Sequence, residues 1–227
     1  MFRMDALSII QDRRSGSGTP QTDASLSEVF PEPGAEAAAI GFVLARLGSG
    51  TEPVLWIQDR LVQRETGRPF LAGLGLRRPL MVMQLSRPVD VMTAVEEGLR
   101  CRVLAAVIAE IRGNPPAVNF TAMKRLALRS EASAVPCWLI RQAAGVDLSA
   151  ARDRWRIATL PSPPHPDDPQ APGDPRWRIE LFRSRDRRPG VWVAQYERAE
   201  NRLDLVAAVS DGSLDAAGGA AGQRSAG

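Results

Sequence analysis

Residues 27–47 read SEVFPEPGAEAAAIGFVLARL. A short apolar stretch runs into a Pro/Gly turn and then into a helix with Ile40, Val43, Leu44 and Leu47 on one stripe. A nucleotide-binding α/β domain carries its phosphate loop at such a place. A working loop reads G-x-x-x-x-G-K-[ST]: the glycines let backbone N–H groups close on the phosphates, the lysine neutralises them, and the hydroxyl holds Mg²⁺. Here Gly34, Ala35, Glu36 and Ala37 put a carboxylate where the ammonium belongs and a methyl where the hydroxyl belongs. Two like charges at about 4 Å repel by roughly 1 kcal/mol at the dielectric of water, and several-fold more in a pocket. Glu36 therefore opposes a triphosphate, and the stretch reads as an ATPase-like scaffold without its chemistry, for which no cofactor is expected.

Outward from this stretch, Gly48-Ser49-Gly50 ends the helix, since glycine is favoured just past a helix C-terminus. Val54 to Ile57 is a nearly continuous apolar run that suits a strand covered on both faces. Residues 60–77 read as irregular with a short helix, and Leu80 to Gln84 as a second buried strand. Pro88-Val89-Asp90 starts a helix with Pro and an acid in its first turn, and Val91, Val95 and Leu99 share one of its faces. Val103 to Ile108 is a third apolar strand. A helix over about Asn119 to Glu131 and a fourth strand over Val135 to Ile140 follow.

Strands alternating with helices of this length are the signature of βαβ units, whose right-handed crossovers build a parallel sheet with helices on its faces. From Arg152 the helices stop. Trp155 to Ala158, Arg176 to Phe182 and Val191 to Tyr196 read as antiparallel strands, and the proline-rich 161–175 as an extended surface loop. The fold class expected is thus α/β, a mainly parallel sheet flanked by helices with antiparallel strands at its C-terminal side. The domain runs over 26–207, after an N-terminal arm and linker over 1–25 that includes a short helix over 3–12. The Gly/Ala/Ser-rich tail over 208–227 is expected to be disordered.

Composition narrows the function classes. With 227 residues, 44% hydrophobic and 24% charged, the chain is an ordinary globular one. It has no signal-like or membrane-length apolar run, so a cytoplasmic protein is expected. Cys101 and Cys137 lie in apolar elements and are too few for a disulfide framework or a structural zinc site, so both read as buried free thiols. His165, the single histidine, sits in a proline-rich loop without a nucleophile beside it and reads as solvated. Lys124, the single lysine, reads as helix interior, which leaves no lysine for a phosphate loop.

Three groups remain as candidates for chemistry. Glu110, just past the third strand, stands where an ATPase keeps an acid for Mg²⁺, but without a phosphate loop the metal lacks its second anchor. Asp59, after the first apolar strand, stands where a water-orienting acid would be. The segment 176–188 carries Arg176, Arg178, Arg183, Arg185, Arg187 and Arg188 against Glu180 and Asp186, a local charge of +4, with Trp177, Phe182 and Trp192 interleaved or adjacent. One reading is a surface for DNA or an acidic partner, using phosphate contacts and stacking. The other is an edge hairpin whose aromatics pack on the core while its arginines discourage edge-to-edge association.

The ordered set PEPGAEAA (31–38), VLWIQ (54–58), GLGLRRPLMV (73–82), AVEEGLR (94–100), AVIAE (106–110) and RWRIEL (176–181) resembles the ImuA family, RecA-like accessory proteins of the bacterial damage-inducible mutasome, over about residues 27–197. Against RecA itself, Pro31-Glu32 match the start of the phosphate loop, Glu36 falls at its lysine, Ala37 at its hydroxyl residue, and Glu110 near its magnesium-associated aspartate. The resemblance implies a protein without catalytic residues of its own. It implies contacts with an inactive, clamp-binding relative of the translesion polymerases (ImuB-type) and with an error-prone replicative-type DNA polymerase, and suggests contact with RecA, while weak binding of DNA is an expectation of the arginine-rich segment 176–188 alone. Two other classes stay open: an ATP-dependent DNA-binding RecA-like enzyme, and a regulator that caps RecA filaments or a cell-division polymer.

Overall fold

The computed structural model describes residues 24–68, 70–74, 78–197 and 202–207. The helix expected over 3–12 and the disordered tail expected over 208–227 lie outside the described residues. In chain order the strands are β1 (Leu26–Pro31), β2 (Val54–Asp59), β3 (Leu80–Leu85), β4 (Ala106–Arg112), β5 (Cys137–Gln142), β6 (Asp153–Leu160), β7 (Pro164–His165), β8 (Asp168–Pro172), β9 (Arg176–Ser184), β10 (Gly190–Glu197) and β11 (Arg202–Ala207). The helices are α1 (Glu36–Leu47), α2 (Arg60–Thr66), α3 (Pro88–Gly98) and α4 (Phe120–Ser133), with a 3-10 turn at Leu71–Leu74.

Among the described residues, nine strands make one sheet in the order β11-β10-β9-β6-β1-β5-β4-β2-β3. From β6 to β3 every pairing is parallel, as the βαβ rhythm requires, and from β6 outward to β11 every pairing is antiparallel. β1 lies in the middle of the sheet, between β5 and β6, and is buried along most of its length.

Each face of the sheet has its own core. On one, α1 lays Phe42 against Trp138 and Trp155, with ring centroids 6.1 and 5.2 Å apart, and Trp56, Ile108, Trp177 and Trp192 complete the layer. Gly41 permits this approach, because a Cβ there would sit 2.7 Å from Cζ2 of Trp177. On the other face, Val91 and Val95 of α3, Leu99 just after it, and Met123 and Leu126 of α4 pack on Ile57, Val107, Ile111 and Leu139. The cap of α4 is the Asn119 side chain, which accepts from the Ala122 N–H at 3.0 Å. Gly48 ends α1 at φ +65, in line with its sequence.

Several expectations need correcting. β3 is not buried: it is the outer strand of the parallel side, with Met81, Val82 and Met83 exposed. Its apolar run had the composition of a covered strand, but no further strand lies beyond it among the described residues. The third apolar strand starts later than expected and runs through Glu110 to Arg112, because three neutral donors accommodate the carboxylate inside the sheet. Strand β6 is parallel to β1 and antiparallel to β9, so the change of direction falls across this strand rather than before it. The proline-rich segment folds into the small β7–β8 ladder, closed by the Gly173 N–H donating to the Pro163 carbonyl at 2.8 Å. Cys101 is exposed in the turn after α3, whereas Cys137 is buried on β5 and its thiol is pushed up to about 12 by burial.

Candidate functional site

In an open α/β sheet, ligands bind beyond the carboxyl ends of the parallel strands. Here β1 leads into residues 32–35 and α1, and β2, β4 and β5 contribute Gln58, Glu110 and Gln142 near their ends. The connection from β1 to α1 closes on itself. The Ala35 N–H donates to the Glu32 carbonyl at 2.8 Å, Pro33 takes the second position, and Gly34 takes the third at φ +82. These are the residues and hydrogen bond of a type II turn. The Glu32 N–H donates to the Ile157 carbonyl at 2.8 Å, and the Glu32 carboxylate pairs with Arg178 at 3.6 Å. The backbone donors of Glu32 and Ala35 are thus engaged by the protein itself, while Glu36 puts an acid in the first turn of α1, where the helix dipole favours negative charge.

Glu110 is fully buried, and its two oxygens are both engaged. Oε1 accepts from Trp56 Nε1 at 2.6 Å and from Gln58 Nε2 at 2.9 Å, and Oε2 accepts from Gln142 Nε2 at 2.8 Å. The register explains the meeting: Gln58 lies opposite Glu110 on β2, Ile140 lies opposite it on β5, and the period of two brings Trp56 and Gln142 to the same face. Burial pushes the carboxyl above its usual range, and the three hydrogen bonds pull the other way. All three donors are neutral, so the arrangement tolerates a protonated acid and offers no charge to fix an anion. Among the described residues, no group of three His, Cys, Asp or Glu side chains is placed to hold a metal ion. Asp59 is the N-cap of α2, accepting from the Leu61 N–H at 3.3 Å.

The composition gave little sign of an ion cluster at the centre of the sheet. Glu28 on β1 is fully buried between Arg141 of β5, 3.0 Å away, and Arg154 of β6, 2.7 Å away. The guanidinium of Arg154 also lies 5.2 Å from the Phe30 ring centroid and 5.3 Å from that of Phe182, and Arg156 lies 5.0 Å from the latter. Two arginines to one carboxylate leave a positive excess, and burial lowers the pKa of Arg154 despite its carboxylate partner. Arg141 reaches further, from Nη2 to the Gly113 carbonyl and Asn114 Oδ1, both at 3.2 Å, and ties the loop after β4 to β5. The signal available in the sequence was a charged residue at a strand position whose neighbours alternate inward.

The arginine-rich hairpin is formed by β9 and β10. Trp177, Ile179, Leu181 and Trp192 all point into the core, so the two tryptophans are not open to stack on bases. Phe182 packs edge-on against Phe30 at 5.8 Å. Arg178 pairs with Glu32 and Glu180, Arg185 donates to the Ala150 carbonyl at 3.2 Å, and Arg187 lies 3.7 Å from Asp153. Arg176 is half-buried at the start of β9. Arg183 and Arg188 are exposed.

Fold and site together define an α/β domain with a mainly parallel sheet flanked by helices, in which the connection from β1 to α1 is closed on itself. No family model matches the chain. Protein ImuA from two strains of Caulobacter vibrioides, NA1000 / CB15N and ATCC 19089 / CIP 103742 / CB 15, is in each case 34% identical over 178 residues, covering 72% of this chain and 70% of that protein. The chain belongs to the ImuA family. Among solved structures, SulA from Pseudomonas aeruginosa aligns with a TM-score of 0.41 and 18% identity, covering 52% of this chain and 98% of that one.

Proposed function

We propose that this chain is a non-catalytic accessory protein of error-prone translesion DNA synthesis in the bacterial damage response, working through contacts with other proteins. Membership of the ImuA family supports a role in the damage-inducible mutagenesis cassette. The observation that carries the non-catalytic part is the closed turn at Glu32–Ala35, with Glu36 directly after it and Glu110 enclosed by Trp56, Gln58 and Gln142. The resemblance to the family supports an ImuB-type polymerase relative and an error-prone replicative-type polymerase as partners, with RecA as a third. Among the described residues no helix is long and apolar enough to cross a membrane, and a cytoplasmic protein is proposed.

Exposed Arg183 and Arg188, with Arg176, Arg178, Arg185 and Arg187 beside them, form the surface proposed for DNA or an acidic protein. Neutralised phosphates on duplex DNA each contribute about 0.9 to the log–log salt slope. The experiment is co-purification of the full chain with the ImuB-type protein of its own genome, with and without Mg²⁺ and ATP. Equal recovery under both conditions is expected, with no ATP hydrolysis above background. Recovery that requires hydrolysable ATP would overturn the proposal in favour of an ATP-dependent enzyme.

A further inference from the structure

The two edges of the large sheet carry different side chains. The β11 edge, RLDLVA, has Arg202 and Asp204, with Arg202 paired to Glu197 and Asp204. Charge on an edge discourages pairing with another chain, as do proline and a bulge. The β3 edge, LMVMQL, has none of the three: it is uncharged, it lacks proline, and its register with β2 is unbroken from Leu80 to Leu85. Its apolar side chains are open on both faces. Leu80 packs against the α1-side core, so Val82, two residues on, faces that side, at 41% exposure. Met81 and Met83, at 46% and 41%, face the α3 side, like Leu55 and Ile57 with which they are in register. Leu61 of α2 and Val89 of α3, from the two helices that touch β3, are exposed as well. The Val54 N–H donates to the Pro79 carbonyl, and Val54 is in register with Leu80, so the parallel ladder uses the backbone groups of 79, 81, 83 and 85. Those of Leu80, Val82 and Gln84 face outward.

We propose that a second copy of this chain covers the edge, its β3 pairing antiparallel with this one about a two-fold axis at Val82. The backbone fits that axis. Val82 meets Val82 of the second copy, and Leu80 and Gln84 meet each other on either side, so every outward-facing residue enters a hydrogen-bonded pair that exchanges both its N–H and its carbonyl. An axis at Met81 or Met83 would leave Gln84 or Leu80 without a partner inside the strand. The two-fold stands perpendicular to the sheet, so each face meets its own kind: Val82 packs on Val82 in the α1-side layer, and Met81 on Met83 in the α3-side layer. Charge is what selects a second copy over another protein. A two-fold sets any net charge on a strand against the same charge, which destabilises the pair, and β3 has none. A strand of different sequence is chosen by complementary charge, of which β3 offers nothing to read. The arginines near its ends are engaged within the molecule. Arg78 is buried and donates to the Gly48 carbonyl at 3.1 Å, and Arg87 pairs with Asp90 at 2.7 Å.

Sedimentation velocity of the full chain over roughly 1–100 µM tests this, because a self-association follows mass action. The sedimentation coefficient is expected to rise from that of a monomer to that of a dimer. Val82→Lys and Val82→Glu each set like charges face to face at the axis and are expected to stay monomeric, whereas an equimolar mixture of the two is expected to regain a dimer. Amide hydrogen exchange of the unaltered chain gives a reading that needs no variant: the Val82 and Gln84 N–H groups are expected to exchange at least about tenfold more slowly at the top of that range than at the bottom. A monomer at every concentration would overturn the proposal and leave the edge to a strand of another protein. A dimer that survives both substitutions, or exchange at Val82 and Gln84 that is independent of concentration, would overturn it as well.

Discussion

Trp56 and Glu110, on neighbouring parallel strands, are joined by an indole-to-carboxylate hydrogen bond of 2.6 Å inside the α1-side core. The bond puts at the strand ends an acid that is satisfied by the protein alone. A domain of this shape that turned over nucleotide would need that acid turned outward, beside an open loop and a cation. Here the loop is a hydrogen-bonded turn and the acid is locked to Trp56, Gln58 and Gln142.

Glu110 makes stability depend on pH in a defined direction. Its carboxyl is raised above the usual range in the folded protein, chiefly by burial. In the window between the unfolded and the folded pKa, the folded state holds more protons. The contribution of Glu110 is therefore full below the unfolded pKa and is lost as pH rises through the folded one. Glu110→Gln is expected to flatten this decline at a cost of about 1 kcal/mol or less. Gln58 Oε1 and Gln142 Oε1 are buried without a hydrogen-bond partner, so a flipped amide can accept from the new side chain. Glu110→Ala strands three donors at about 1–3 kcal/mol each, and is expected to lower the urea midpoint far more. Urea titrations from acid to neutral pH distinguish the two variants.

The Glu28 cluster gives a second stability test. Removing the carboxylate with Glu28→Ala leaves Arg141 and Arg154 buried without it, and a loss of about 3–5 kcal/mol is expected. Arg156, more exposed and paired with Glu180 at 2.8 Å, belongs to a class of ion pair worth about 1 kcal/mol or less. Arg156→Ala is therefore expected to be much milder in thermal melts.

Supplying the side chains of a working phosphate loop is not expected to create a nucleotide site here. Glu36→Lys/Ala37→Thr supplies an ammonium and a hydroxyl, but the turn that ties Ala35 to Glu32 remains, held by Pro33 and by Gly34 at φ +82. Titration with a fluorescent ATP analogue should give no saturable signal for the variant. Saturation would mean that the side chains, rather than the backbone, closed the site.

Much of the architecture was legible because its elements follow strong local rules. Val54–Ile57 reads as a covered strand from its continuous apolar run and Gly48 as a helix end, and both of these are local physics. What was not legible depended on neighbours distant in the chain. Leu80–Gln84 has the composition of a buried strand, and only the strand order puts it at an edge. Glu110 looked like a strand end because a lone acid normally marks one, and the three donors that bury it come from residues 56, 58 and 142. The Glu28–Arg141–Arg154 cluster spans more than a hundred residues of sequence and no spacing rule connects its members. At the hairpin, the alternation of Arg176, Arg178 and Glu180 against Trp177, Ile179 and Leu181 was readable, and it puts the tryptophans in the core.

Isothermal titration of the full chain with ATP in the presence of Mg²⁺ tests the central claim most directly. The closed turn predicts no saturable heat up to millimolar nucleotide. A micromolar dissociation constant would contradict the account.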